Sequence, residues 1–105
     1  MQKNVVMKKN EESEKTVRVD FSKVMVEVEY DTFNECDLRK VIGNNIHRGC
    51  ADLDMDEIGR TINREGVADI PVGRIDEVHS IISGAPIVYA YKVAALTLLA
   101  KAEEE

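Results

Sequence analysis

Four side chains of the sequence could bind a transition metal: Cys36, His47, Cys50 and His79. A structural zinc site usually takes its ligands in closely spaced pairs. His47 and Cys50 lie close enough in the chain to form one pair, whereas Cys36 and His79 are isolated. Because the second pair is missing, we predict no metal site and no cofactor.

The acidic residues Asp52, Asp54 and Asp56 alternate along the chain as they do in the calcium-binding loop of an EF-hand. That loop needs glycine at its sixth position and glutamate at its twelfth. This chain has Glu57 and Asn63 at those positions. We therefore interpret the acidic run as the start of a helix, where negative charge is favourable.

Catalytic chemistry has little support. Asp76, His79 and Ser80 carry the three groups of a hydrolase triad, but they lie within one turn of a predicted helix and cannot line up around a substrate. The chain has no Gly-rich phosphate loop and no Gly-x-Ser-x-Gly sequence. We predict that the protein is not an enzyme and has no catalytic residues. A small enzyme or ligand-binding domain is the last alternative.

Two short helices predicted within residues 37–65 could form a helix-turn-helix unit that binds DNA. The connection from Gly49 to Leu53 is longer and more acidic than the usual turn of about 3–4 residues. Residues 35–65 also carry more acidic than basic side chains, which is unfavourable for binding phosphates. DNA binding is therefore the second hypothesis. The residues predicted for partner contact lie on the second helix: Arg60, Asn63 and Arg64.

The composition is that of an ordinary globular domain, with 44% hydrophobic and 32% charged residues in a chain of 105. A formal net charge of −6 disfavours nucleic acid and anionic membranes as partners. Met1 to Asn10 contains no apolar signal run, so we expect a cytoplasmic location.

Cys36 and Cys50 flank a predicted helix and should lie on the order of 20 Å apart. We therefore expect free thiols.

Residues 16–31 carry the clearest strand pattern, in which apolar and polar side chains alternate. The alternation changes phase at Ser22 and Lys23, which predicts a hairpin with a two-residue turn there. The predicted cross-strand pairs are Phe21 with Val24, Val19 with Val26, and Val17 with Val28. A continuous strand with a bulge at Ser22 and Lys23 is the alternative. Residues 1–15 are predicted to be a flexible terminus in which Val5 to Met7 could add an edge strand.

Four helices are predicted, at residues 37–48, 55–65, 72–83 and 86–101. Asp54 and Glu57 would cap the second helix. Gly43 and Gly59 lie inside the first two helices, where glycine is unfavourable unless it permits a close approach. We therefore predict that the two helices cross near these glycines. The acidic tail, residues 103–105, should fray.

The last predicted helix has no charged side chain from Val93 to Ala100. A helix that is apolar on most sides must be buried or must pack against another chain. It is too short to span a bilayer, which needs about 20 apolar residues. We predict that this helix is central to the fold. We also predict that the protein self-associates, most simply as a dimer, through Val93, Leu96 and Leu99.

Several short runs resemble small proteins encoded in prophages and mobile elements of gut bacteria. These runs are Asp20-Phe21-Ser22-Lys23-Val24, Asp37-Leu38-Arg39-Lys40, Gly43-Asn44-Asn45-Ile46-His47 and Asp56-Glu57-Ile58-Gly59-Arg60-Thr61-Ile62. The resemblance covers about residues 17–100 in order and pattern. It implies a phage-related structural or accessory role and supplies no active site.

Together these features predict one α+β domain over residues 16–102. It would contain an N-terminal β-hairpin packed on about four short helices, with the C-terminal helix central. The predicted function is that of a non-enzymatic interaction or assembly protein that self-associates. A different protein is the second predicted partner.

Overall fold

The structure, a computed structural model, describes residues 15–104. These residues form an α+β fold, which confirms the predicted fold class. The strands are β1 (Thr16–Asp20), β2 (Val24–Glu29), β3 (Thr32–Cys36) and β4 (Val67–Pro71). The helices are α1 (Arg39–Gly49), α2 (Leu53–Glu65), α3 (Ile75–Gly84) and α4 (Tyr89–Glu104), and a 3₁₀ turn (Val72–Arg74) precedes α3. The predicted flexible terminus, except Lys15, and the predicted strand at Val5 to Met7 lie outside the described residues.

The strands form two antiparallel sheets, β1 with β4 and β2 with β3. In the first sheet Val19 is opposite Ala68 and Val17 is opposite Ile70. The exposed faces of the same strands carry an ion pair, in which Arg18 Nε lies 3.0 Å from Asp69 Oδ1. The alternation seen in β1 thus separates a buried face from a solvated one.

The predicted pairing of β1 with β2 is wrong. Asp20 Oδ1 accepts hydrogen bonds from the Ser22 backbone N–H and hydroxyl, at 2.9 and 2.6 Å. This local turn carries the chain from one sheet into the other instead of folding β2 back on β1. Phe21, between the sheets, is fully buried, and its carbonyl accepts a hydrogen bond from the Leu38 N–H at 2.8 Å.

The hairpin of this fold is β2–β3, with its turn at Tyr30 and Asp31. Asp31 has a φ of 64°, a conformation that aspartate tolerates better than most residues. Its N–H donates to the Glu27 carboxylate at 2.7 Å. A register shift between Glu27 and Glu29 marks a bulge, so a bulge is present but lies further along the chain than the one considered at Ser22.

The helix α2 begins two residues earlier than predicted, because Asp52 and not Asp54 caps it. Asp52 Oδ1 accepts a hydrogen bond from the Met55 N–H at 3.0 Å. The same carboxylate binds Arg74, which also binds Glu77 of α3 at 2.8 Å. The cap of one helix is therefore tied to the start of another.

The predicted crossing of α1 and α2 at their glycines is confirmed. A Cβ atom added to Gly43 would lie 2.7 Å from Asn63 Cβ and 2.8 Å from Asn63 Cα. A Cβ atom at Gly59 would lie 3.2 Å from the Gly43 carbonyl oxygen and 2.8 Å from a methyl group of Ile46. Only hydrogen at both positions lets the two backbones come this close.

The helix α4 packs against β1, β2 and α3 and so contacts both sheets, which is the central position predicted for it. Its buried side chains are Ala94, Ala95 and Leu99. The helix starts at Tyr89 rather than Pro86, and it continues through Glu103 and Glu104, where we expected fraying. None of the helices within residues 15–104 combines the length and the apolar content that crossing a bilayer requires.

Replacing Gly43 by alanine should lower the free energy of unfolding by about 1–3 kcal/mol, because the new methyl group meets backbone atoms of α2. Urea denaturation followed by circular dichroism measures the change. Gly84→Ala is the matched control, because no atom lies within 4 Å of the added Cβ. It should leave stability unchanged or raise it by up to about 1 kcal/mol. Equal effects of the two variants would contradict the close crossing.

The fold should lose stability in acid. The Met55 N–H and the Arg74 guanidinium lower the pKa of Asp52. A carboxyl group with a lowered pKa stabilises the fold above its unfolded pKa of about 3.9, and this contribution is lost as the pH falls through the folded pKa. Asp52→Asn should therefore lower the melting temperature at pH 7 and change it much less near pH 2.5. Thermal melts at both pH values test this, and equal losses would contradict it.

Candidate functional site

Two surfaces of residues 15–104 have the shape and chemistry of binding sites. The first, here called the apolar groove, lies between the β2–β3 hairpin and α4 and has a volume of about 460 Å³. Its lining residues include, from the hairpin, Met25, Glu27, Tyr30 and Phe33, and from α4, Tyr89, Val93, Thr97, Leu98 and Lys101.

Large apolar side chains in this groove are unusually exposed. Tyr30 at the hairpin turn is 94% exposed and Tyr89 at the start of α4 is 79% exposed, and Met25, Phe33 and Val93 are also exposed. Single exposed apolar residues are normal on protein surfaces, but a contiguous patch marks an interaction surface. Aromatic residues and methionine are also the residue types enriched at protein–protein interfaces.

The second surface, here called the polar groove, lies between α1 and α2 and has a volume of about 290 Å³. Its lining residues are Gly43, Asn44, His47, Asp56, Gly59, Arg60, Asn63 and Arg64. The glycine crossing lies at this groove, because Gly43 and Gly59 are among its lining residues. The polar side chains come from both helices, so the helix crossing decides their spacing.

Asp56 organises one end of the polar groove. Its Oδ1 atom lies 2.6 Å from His47 Nδ1, and its Oδ2 atom lies 3.6 Å from an Arg60 nitrogen. The hydrogen bond with His47 is the main reason that the pKa of Asp56 is lowered. Because Nδ1 is bound to the carboxylate, the orientation of the His47 ring is held by Asp56.

Asn63 organises the other end. Its Nδ2 atom donates to Asn44 Oδ1 at 3.0 Å, and its Oδ1 atom accepts from Lys40 Nζ at 3.0 Å. These contacts hold α1 and α2 together beside the crossing. The Arg64 carbonyl accepts a hydrogen bond from Arg39, whereas its guanidinium makes no ion pair within residues 15–104.

The residues predicted for self-association do not share one surface. Val93 lines the apolar groove, and Leu96 is half-buried against the core. Leu99 is only 1% exposed and belongs to the core, so it is not accessible to a second chain in the folded protein. Leu99 is therefore corrected from an interface residue to a core residue. The sequence pattern could not distinguish the two, because α4 is apolar on most sides.

The residues predicted for partner contact do lie together, since Arg60, Asn63 and Arg64 all line the polar groove. The expected long connection between the first two helices is wrong. With α1 ending at Gly49 and α2 starting at Leu53, only three residues join them, within the length of a helix-turn-helix turn. The contact between His47 and Asp56 was not predicted. It depends on how α1 and α2 are placed relative to each other, which the sequence pattern does not show.

The remaining chemical candidates have other roles. Asp52 caps α2 and binds Arg74, and Asp56 binds His47 and Arg60. Asp76, His79 and Ser80 all lie exposed on α3. Both cysteines are free. Over the range 15–104, no group of three or more His, Cys, Asp and Glu side chains could hold a metal ion.

Comparison with known proteins does not narrow the choice between the two grooves. No family model, no curated protein and no solved structure matches the chain.

Leu99→Ala should lower the free energy of unfolding by about 2–5 kcal/mol, because it leaves a cavity in the core. Val93→Ala, at an exposed position of the same helix, should change the free energy of unfolding by about 0.5 kcal/mol or less. Chemical denaturation of the two variants beside the wild type makes the comparison. Similar small effects would mean that Leu99 does not lie in the core.

Proposed function

We propose that this protein is a non-enzymatic interaction protein that assembles with a second copy of itself through the apolar groove. The observation that supports the proposal is the group of exposed apolar side chains between the hairpin and α4. Leaving this surface in water is unfavourable by roughly 25 cal/mol for each Å² of apolar area, so covering it favours association.

A second copy is the favoured partner because the groove and the aromatic side chains that could fill it belong to the same surface. The hairpin supplies projecting aromatic side chains, Tyr30 and Phe33, directly beside the groove that could receive them. The same rim carries charges of both signs, Lys23 and Lys101 against Glu27. A two-fold dimer brings the same patch of both chains together, so each projection can meet a groove and each Glu27 can meet a lysine of the other chain.

The resemblance to prophage-encoded proteins suggests where such an assembly protein would act. A structural or accessory role in a phage-related process is compatible with self-association and needs no active site. This role is a prediction, as are the cytoplasmic location and the absence of enzymatic activity.

Sedimentation velocity over a dilution series tests the assembly. We expect a concentration-dependent dimer that Val93→Lys or Phe33→Lys weakens by about 30-fold or more, as is typical of residues that dominate an interface. Val72→Lys is the matched control, because Val72 is equally exposed but lies outside the groove, and it should leave the dimer unchanged. Circular dichroism confirms that each variant is folded.

A wild-type chain that stays monomeric at every concentration would contradict the proposal. So would a dimer that Val72→Lys weakens as much as Val93→Lys does. In the first case the apolar groove would remain as a surface for a different protein.

A DNA-binding regulator is the second candidate, favoured by the three-residue connection between α1 and α2. The exposed acidic residues of α2, Asp54, Glu57 and Glu65, oppose it because they would face the phosphates. Fluorescence anisotropy with duplex DNA at two salt concentrations separates the candidates. A DNA-binding protein would lose affinity steeply as salt increases, whereas the proposed assembly protein would show no binding.

A further inference from the structure

The polar groove has the features of a binding site that self-association does not use. It is separate from the apolar groove, since the two have no lining residue in common. Its volume of about 290 Å³ is close to the lower end of the range for small-ligand pockets. Its lining is made of hydrogen-bonding side chains and two buried glycines, Gly43 and Gly59.

The charged groups of this groove are arranged by depth. The Asp56 side chain is only 20% exposed, whereas that of His47 is 66% exposed and that of Arg60 is half exposed. The carboxylate therefore lies beneath the nitrogen-bearing side chains that it binds. A ligand entering from solvent meets positive and N–H groups before it meets the negative one.

In the described part of the chain, the carboxylate oxygens of the groove already have partners, whereas the donors of Arg64 do not. The two Asp56 oxygens are engaged by His47 and Arg60, and Asn63 Oδ1 accepts from Lys40. Among residues 15–104 the Arg64 guanidinium has no carboxylate partner. A ligand that satisfies the Arg64 guanidinium must bring acceptor oxygens, because a guanidinium group only donates hydrogen bonds.

The charge balance inside the groove is opposite to that of the chain. Two guanidinium groups, Arg60 and Arg64, face one carboxylate, in a protein whose formal net charge is −6. Lys40 lies next to the groove through its bond to Asn63 and adds a further positive charge. A local positive site on an acidic protein attracts a compact anion more selectively than it attracts a long polyanion.

We propose that the polar groove binds the phosphate group of a small phosphorylated molecule. Arginine pairs with phosphate through two parallel N–H···O bonds, and Arg60 and Arg64 supply two such groups one helical turn apart on α2. His47 lines the groove from α1 and is held in place by Asp56. The phosphate group of a monoester carries about two negative charges and three terminal oxygens, which suits the two guanidinium groups of α2 and the Lys40 ammonium of α1 beside them.

The pocket size favours a small molecule over a nucleic acid. A phosphate with an attached sugar or similar group fills a volume near that of the groove, whereas nucleic acid binding depends on many phosphates along a basic stripe. Exposed Asp54, Glu57 and Glu65 interrupt any such stripe along α2. One phosphate therefore suits this site better than a chain of them.

The test is an NMR titration of the full chain, in which the ¹H–¹⁵N signals are followed as ligand is added. The probes are inorganic phosphate, adenosine monophosphate and a 12-nucleotide oligothymidine, each compared with sodium chloride at the same ionic strength. We expect the Gly43, His47 and Gly59 amides to shift with phosphate and not with chloride. Adenosine monophosphate should bind at least as tightly as inorganic phosphate.

Arg64→Gln should weaken phosphate binding about tenfold or more, because it removes a charge-assisted hydrogen bond without disturbing the backbone carbonyl that Arg39 uses. Arg48→Gln is the matched control: Arg48 is exposed at the end of α1, next to His47 in the chain but outside the groove, and its loss should change nothing. The dimer variant Val93→Lys should bind phosphate as the wild type does, which separates this site from the assembly surface.

Three results would overturn the proposal. Groove amides could fail to shift with phosphate, or could shift equally with chloride. Arg64→Gln and Arg48→Gln could have the same effect on binding. The oligothymidine could bind more than about 100-fold more tightly than adenosine monophosphate, with steep salt dependence, which would assign the groove to nucleic acid.

Discussion

The close crossing of α1 and α2 is the constraint on which the rest of the structure depends. Gly43 and Gly59 let the two backbones approach until atoms of one helix fill the space where the other would carry a side chain. This contact fixes where Ile42, Ile46 and Ile62 meet in the core. It also fixes the distance between the polar side chains that α1 and α2 contribute to the polar groove. Core packing and the polar groove are therefore two results of one helix crossing.

The second organising element is α4, which covers what the small sheets cannot bury alone. Two-stranded sheets are marginal in water unless another element packs on their apolar faces. The helix contacts one strand of each sheet and places Ala94, Ala95 and Leu99 against them. Small alanine side chains allow a close approach, but they leave the neighbouring hairpin and Val93 only partly covered. The apolar groove is the space that remains.

The approximate positions of the helices and the glycine crossing could be predicted from the sequence. Both depend on neighbouring residues: helical periodicity marks a helix, and glycine inside a helix is unfavourable unless it permits a close approach. Strand pairing did not follow, since β1 could pair equally well with any alternating strand. The alternation of Ala68 and Ile70 around Asp69 was readable, but the proline that follows suggested a helix start instead. The polar groove contains the three residues predicted for partner contact, Arg60, Asn63 and Arg64. It also contains His47 from the other helix, which could not be predicted because its position depends on how the two helices are rotated relative to each other.

The pairing of β1 with β4 means that the first strand is synthesised well before the strand it pairs with. Arg18 and Asp69 bind each other across the sheet although they are 51 positions apart. The hairpin, α1 and α2 are all inserted between these two strands. At a synthesis rate of about 5–20 residues per second, β1 must wait about 3–10 s before its partner exists. During that time the exposed edge of β1 is open to neighbouring nascent chains, and the Arg18 charge on it helps to keep them apart.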